Sequence, residues 1–294
     1  MIFINYYDEI KKELLNNEIT KRVKNYSINR SDLTTYYNVG KLLAEAGKHY
    51  GEGMIKEYSE KLTADLNKKY SYRSLNYMMK FYELQKMQSV TANLSWGHWI
   101  ELLSIKNEMK YYINQAEKLF LTTRELRQRI KNNEYERLDE STKEKLKEKE
   151  ELKLPDLVKD PIQIRNTSGN NEISEKVLQK FILEDIESFL KELGNGFCFI
   201  GSEYKIKIGD RYNYIDLLLF NYQFNCFVVV ELKVTELKKE HIGQIEFYMN
   251  YIDKNIKNIN QNKTIGIIIC KKENKYVIEY CSDDRIIARE YELV

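Results

Sequence analysis

Two apolar runs, YNYIDLLLF at 212–220 and FVVVELKV at 227–234, carry three charged residues inside them: Asp216, Glu231 and Lys233. Burying an uncompensated charge costs on the order of several kcal/mol, so a fold that uses these runs must bring the charges a partner. Both runs are rich in Ile, Leu, Val, Phe and Tyr and flank a polar break at Asn221–Asn225, which reads as a β-hairpin of two largely buried strands. If Asn221 pairs with Cys226, the same register sets Asp216 across from Glu231. Cross-strand Cβ atoms are roughly 4.5–5.5 Å apart, so both carboxylates could reach one ion with oxygens at about 2.1 Å. Lys233 falls on the face of Glu231, one step along. A divalent cation is a natural partner for this cluster. A metal-free ion pair of Lys233 with Glu231 or Asp216 would leave the same letters.

The surrounding pattern builds an α/β unit with a mixed central sheet. Strands are expected near 197–208, 212–220, 226–234 and 264–270, with edge strands near 275–281 and 285–293. The segment KKEHIGQIEFYMNYID reads as a helix at 239–254 that puts Gln244 and Tyr248 on one face at i, i+4. Upstream, EISEKVLQKFILEDIESFLKEL lines up Ile173, Val177, Phe181, Ile182, Ile186, Phe189 and Leu193 as one stripe. Glu175 borders that stripe, whereas Glu184 and Glu187 point away.

The first half of the chain is helical in pattern, with helices near 3–27, 31–49, 52–69, 71–87, 95–105, 108–119 and 122–137. Ser31 and Asp32 suit an N-cap. Between the halves lies DESTKEKLKEKEELK, dense in acids and lysines, which reads as a solvated helix or tether and is followed by the two prolines, Pro155 and Pro161. The expected organisation is therefore α+β: an all-α domain at 1–139, a charged linker at 140–171 and an α/β domain at 172–294, in line with a length of 294 residues. A net charge of +2 does not mark a nucleic-acid binder, so distribution matters. Arg73 and Lys80 share one helical strip; Arg124, Arg127 and Lys131 share another. Either could contact phosphates in a salt-dependent way, or be an ordinary solvated face. The 23 tyrosines could stack on bases, but most are expected to pack cores.

Other chemistries find little footing. His49, His98 and His241 lack a second ligand at metal spacing. Cys198, Cys226, Cys270 and Cys281 sit in apolar segments without CxxC and read as buried reduced thiols. Phosphate-binding glycine loops are absent. Without a signal peptide or an apolar run of membrane length, a cytoplasmic protein with no membrane association is expected.

An aspartate followed 15 residues later by ExK, with a glutamine in the next helix, resembles the PD-(D/E)xK nuclease superfamily. More narrowly, the chain resembles the YhcG family of bacterial proteins. That likeness rests on LSWGHWIELL, TTRELRQRIKNNEYERL, FLKELGNGFCFIG, YIDLLLF, VVVELKV, GQIEFYMNY and TIGIIICK. The resemblance implies a restriction-endonuclease-like domain that hydrolyses DNA phosphodiesters. In it, Asp216, Glu231 and the backbone carbonyl of Leu232 would hold Mg²⁺ or Mn²⁺, which polarises a phosphate oxygen and acidifies a bound water. Lys233 would orient that water or offset charge in the transition state, and Gln244 would hold the water or a phosphate. Glu175 is the candidate helix carboxylate, although Gln179 occupies the position that matches the family's acid. The resemblance further implies a winged-helix-like, DNA- or partner-binding N-terminal domain. Cutting two strands with one site per chain suggests a homodimer. The alternative is a catalytically inactive adaptor that uses the nuclease fold to bind nucleic acid or protein.

Overall fold

A computed structural model describes every residue except 1–4, 24–27, 52, 88–93, 106–107, 168, 170–171 and 282. The chain divides into two compact units, Met1–Asn133 and Glu134–Val294.

The first unit is all helical among the described residues: α1 (Tyr6–Val23), α2 (Ile28–Tyr50), α3 (Met54–Leu66), α4 (Tyr72–Met87), α5 (Trp96–Leu102), α6 (Met109–Lys118) and α7 (Thr123–Lys131). Helices α1 to α4 share a core in which Ile10, Leu14, Val39, Leu43, Leu62, Leu75 and Met78 are nearly or fully buried. Their apolar residues recur at helical spacing, so each helix buries one stripe. Helix α2 begins at Ile28, so Ser31 and Asp32 lie inside it rather than at its cap. Part of the interhelical breaks expected at 25–31 and 89–95 falls outside the described residues. His98 is structural. Its ring bonds Ser95 Oγ at 2.7 Å and the Leu121 carbonyl at 2.8 Å, tying the start of α5 to the segment before α7.

Gly40 sets how closely α2 and α4 approach. A Cβ there would fall 2.0 Å from the Met78 carbonyl oxygen and 3.0 Å from Tyr82 Cβ. Gly40→Ala is therefore expected to destabilise the helical unit by about 1–3 kcal/mol, despite alanine's better helix propensity. Thermal melts of the two proteins check it, and an unchanged or raised midpoint would contradict this packing.

The second unit contains α8 (Glu140–Glu148), α9 (Leu154–Leu157), β1 (Ile162–Ile164), α10 (Glu175–Glu184), α11 (Ile186–Leu193), β2 (Phe197–Ile208), β3 (Arg211–Asn221), β4 (Cys226–Glu236), α12 (Lys239–Asn255), β5 (Ile265–Lys272), α13 (Lys275–Glu279) and β6 (Ile286–Leu293). Its sheet runs β1-β6-β5-β4-β3-β2. Strands β2, β3 and β4 are antiparallel neighbours, while β4, β5, β6 and β1 are parallel, which makes the sheet mixed. Both faces are covered. Leu217, Leu219, Val228, Val230, Ile267 and Ile269 pack with α10 and α11 residues on one side. Val229, Ile268 and Ala288 pack with Ile245, Met249 and Ile252 of α12 on the other. Burial on two faces explains why these strands read as unbroken apolar runs.

Five expectations are corrected here. The charged linker at 140–171 is not a tether: Leu154, Val158, Ile162 and Ile164 are core residues, and β1 pairs with β6. Its first part is the expected helix, with Lys147 and Lys149 exposed and Lys145 tied to Asp156 at 2.8 Å; the strand went unseen because three residues are too short to show alternation. The segment 275–281 forms the short helix α13 rather than a strand, and β6 lies inside the sheet, not at its edge. The helix at 172–193 breaks at Asp185, whose carboxylate accepts from Ser188 N and caps α11. Cys226 and Cys270 are buried, but Cys198 is exposed and Cys281 half-buried.

Candidate active site

The β3–β4 hairpin forms in the register its sequence requires, from Asn221 opposite Cys226 to Leu217 opposite Val230. Gly196 and Asn221 fix its closed end. Asn221 is fully buried, donates to the Asn195 carbonyl, and accepts from the Gln223 and Phe224 amides.

The ladder ends just where the charges begin. Instead of a backbone pair at Asp216, the Asp216 carboxylate accepts from Leu232 N–H at 2.8 Å. Along β3 the inward side also changes core at this point: Leu217 and Leu219 lie under α10 and α11, whereas Ile215 lies under α12. Facing it on β2, Glu203 has a left-handed φ of 46°. Non-glycine residues held in that region concentrate at functional sites.

Asp216, Glu231 and Lys233 do converge. Lys233 Nζ lies 2.8 Å from Glu231 Oε1 and 3.9 Å from Glu175 Oε2. Glu231 is 2% exposed and Lys233 9%, so the amine and one acid are desolvated, with Asp216 half-buried beside them and Glu175 at the exposed rim. Burial alone would push the Lys233 amine down, but its bond to Glu231 and the charges of Glu175 and Asp216 outweigh it and hold the pKa above the ordinary lysine value. Burial raises Asp216, opposed by the Leu232 amide and Lys233. Burial and the Asp216 charge together push Glu231 up to about 7, against the pull of Lys233.

The sign of a pH effect follows. Folded Glu231 holds its proton more tightly than in the unfolded chain, whose ordinary value is 4.5, so between pH 4.5 and about 7 the folded state binds more protons and stability falls as pH rises. In chelator, native protein should lose up to about 3 kcal/mol over that window relative to Glu231→Gln, which has no carboxyl to titrate. Melts recorded across pH measure it, and parallel curves for the two proteins would refute the assignment.

The donor set fits a hard cation. Glu231 Oε2 is buried and makes no hydrogen bond, an expense of roughly 1–3 kcal/mol that a cation would relieve. Among the described residues no group of three or more His, Cys, Asp or Glu side chains is assembled for a metal. Two carboxylates with water and substrate oxygens suit Mg²⁺, which keeps much of its hydration.

The remaining candidates divide. Glu175, in the first turn of α10, reaches Lys233 but is half-exposed. Gln179, one turn on, donates to the Asp216 carbonyl at 3.0 Å, so it holds the strand rather than supplying a carboxylate. Gln244 bonds its helical neighbour Tyr248 at 3.3 Å. Arg127 is tied to Glu101 at 2.8 Å and Arg73 to the Tyr77 hydroxyl at 2.9 Å, while Arg124, Lys80 and Lys131 are exposed. Two further residues border the cluster: Glu203, which the sequence did not single out, and His241, which it set aside as a metal ligand. Glu203 stands close enough to raise Asp216, and His241 in the first turn of α12 feels Lys233 and Glu175. Burial, then Lys233, keeps that imidazole's pKa low, and its Nδ1 accepts from Lys238 N at 3.2 Å. Neither has a one-dimensional signature, since strand pairing and the helix crossover bring them in.

Comparison with known proteins gives two family matches. The YhcG PDDEXK nuclease domain matches residues 155–294 and the DUF1016 N-terminal domain matches residues 10–137. A curated relative from Escherichia coli (strain K12), named "Putative nuclease YhcG", is 23% identical over 317 residues, covering 91% of this chain and 84% of the relative. Solved structures include a repair endonuclease from Pyrococcus abyssi, with TM-score 0.29 and 18% identity over 43% of this chain and 49% of that one. Another is EndoMS in complex with double-stranded DNA, with TM-score 0.29 and 18% identity over 44% and 48%. This chain thus spans about half the length of each solved relative. No described helix is long and apolar enough to cross a membrane.

Proposed function

The chain belongs to the YhcG family, with a PDDEXK nuclease domain, and from that premise we propose that it is a divalent-metal-dependent endonuclease hydrolysing DNA phosphodiesters. The carrying observation is the buried cluster of Asp216, Glu231 and Lys233 with one carboxylate oxygen left unbonded. Asp216, Glu231 and the Leu232 carbonyl would hold Mg²⁺ or Mn²⁺, which supplies Lewis-acid polarisation of the phosphate and a more acidic water. Lys233 contributes a fixed positive charge in a desolvated site, where it stabilises the charge that develops on the phosphate. Glu231 keeps that amine protonated and aimed. Glu175, at the exposed rim, and Gln244 would orient water or phosphate. Arg124, Lys80 and Lys131 offer exposed positive charge for the DNA backbone, with Arg73 and Arg127 contributing after exchange of their present partners. We assign the first unit to substrate or partner selection, the working form to a homodimer and the setting to the cytoplasm.

The test is incubation of the full chain with supercoiled, linear and branched DNA in Mg²⁺ or Mn²⁺ and in chelator, beside Asp216→Ala and Lys233→Ala. Metal-dependent nicking by the native protein alone supports the reading. If the native protein cuts nothing that the variants fail to cut, the adaptor role replaces it.

A further inference from the structure

The β2–β3 hairpin carries a strip of side chains that the buried cluster leaves unused. Its register sets Lys205 across from Tyr214 and Lys207 across from Tyr212. On β3, Tyr214 and Tyr212 follow Asp216 at two-residue steps, about 7 and 14 Å along the strand. The reverse of the same stretch, Ile206 and Ile215, is buried under α12. That burial fixes the tyrosine–lysine side outward, because slipping by one residue would expose the isoleucines. Tyr212 and Tyr214 are each 52% exposed. Lys205 Nζ sits 3.7 Å from the centroid of the Tyr212 ring, and Lys207 Nζ 6.0 Å.

Exposed aromatic rings interleaved with ammonium groups offer stacking surface for bases and charge for phosphates. In a duplex the base faces are closed inside the stack, so such rings gain little from it. A single strand leaves those faces open. From this placement we propose that the outer side of the β2–β3 hairpin is a single-stranded DNA subsite leading to Asp216, so that the preferred substrate has an unpaired stretch beside the scissile phosphate. The proposal rests on the nuclease reading above and names its substrate class. Glu203, which the register sets opposite Asp216, ends the strip at the catalytic end. A phosphate therefore meets Lys207 and Lys205 before it meets the acids.

The experiment measures binding of fluorescent oligo(dT), a duplex of equal length and oligo(rU) to the full chain in chelator, where nothing is cut. It compares native protein, Tyr212→Ala/Tyr214→Ala and Tyr212→Phe/Tyr214→Phe. Native protein should hold oligo(dT) tighter than duplex. The alanine pair should weaken oligo(dT) binding by about tenfold or more and duplex binding by less than about twofold, while the phenylalanine pair, which keeps the rings, stays near native. Equal losses on single strand and duplex, no loss at all, or tighter binding of oligo(rU) than oligo(dT) would overturn it. So would a switch of the alanine pair from dimer to monomer in sedimentation, which would make the tyrosines a protein contact. Because these readings need no cleavage, their failure is distinct from failure of the nuclease assay on plasmid.

Discussion

Lys233→Ala should slow DNA cleavage by about 10²- to 10³-fold, the cost of removing one preorganised electrostatic donor from a desolvated site. The substitution removes the only amine within salt-bridge distance of Glu231 and Glu175 among the described residues. The fold should tolerate it, because a Glu231 carboxyl whose pKa already stands at about 7 can take up a proton once Lys233 is gone. Lys233→Arg should rescue little, since a planar guanidinium cannot occupy the space of a compact ammonium on the same geometry. Single-turnover rates on plasmid DNA, read beside thermal melts, separate the two roles this lysine could have. A catalytic lysine gives a slow, stable variant. A lysine present only to neutralise a buried acid gives a variant whose rate per folded molecule is unchanged, and that result would remove Lys233 from the chemistry.

Asp216→Ala is expected to abolish detectable Mg²⁺ or Mn²⁺ binding by calorimetry and to lower cleavage by at least about two orders of magnitude, since metal-ion catalysis supplies several kcal/mol. A stability cost comes with it. Asp216 replaces a backbone pair by accepting from Leu232 N–H, and leaving that amide unsatisfied costs about 1–3 kcal/mol. Asp216→Asn keeps a neutral acceptor at the same place and should recover most of the stability without the metal. Native-like metal affinity in either variant would exclude Asp216 as a ligand. The pair therefore measures the structural and chemical roles of one carboxylate separately.

The hairpin register was legible because only one pairing of 212–220 with 227–234 buries both runs and brings the acids together. Its end was not. Pairing arithmetic carries Asp216 onto Glu231, whereas the molecule stops the ladder at Leu217 and turns the Asp216 carboxylate onto Leu232. The same limit explains why the linker expected at 140–171 turned out to carry a core strand beyond its helix. Charged helices look solvated in sequence, and nothing local reveals that Ile162 and Ile164 add a strand to β6, more than a hundred residues away. Nothing in the sequence separates Tyr212 and Tyr214 from core aromatics, because alternation predicts two sides of a strand but not which side another layer covers.

By itself the sequence determined the helical first unit, the buried hairpin and the placement of Asp216, Glu231 and Lys233 as charges within it, since these follow from local periodicity and from the cost of stranding charge among apolar residues. Tertiary structure alone decided that Gln179 braces Asp216 through its carbonyl, that Glu175, Glu203 and His241 crowd the cluster, and that one Glu231 oxygen is left without a donor. Those contacts join α10, β2, β3, β4 and α12, and their electrostatics depend on desolvation and distances of a few ångströms, which exist only once the sheet is closed on both faces.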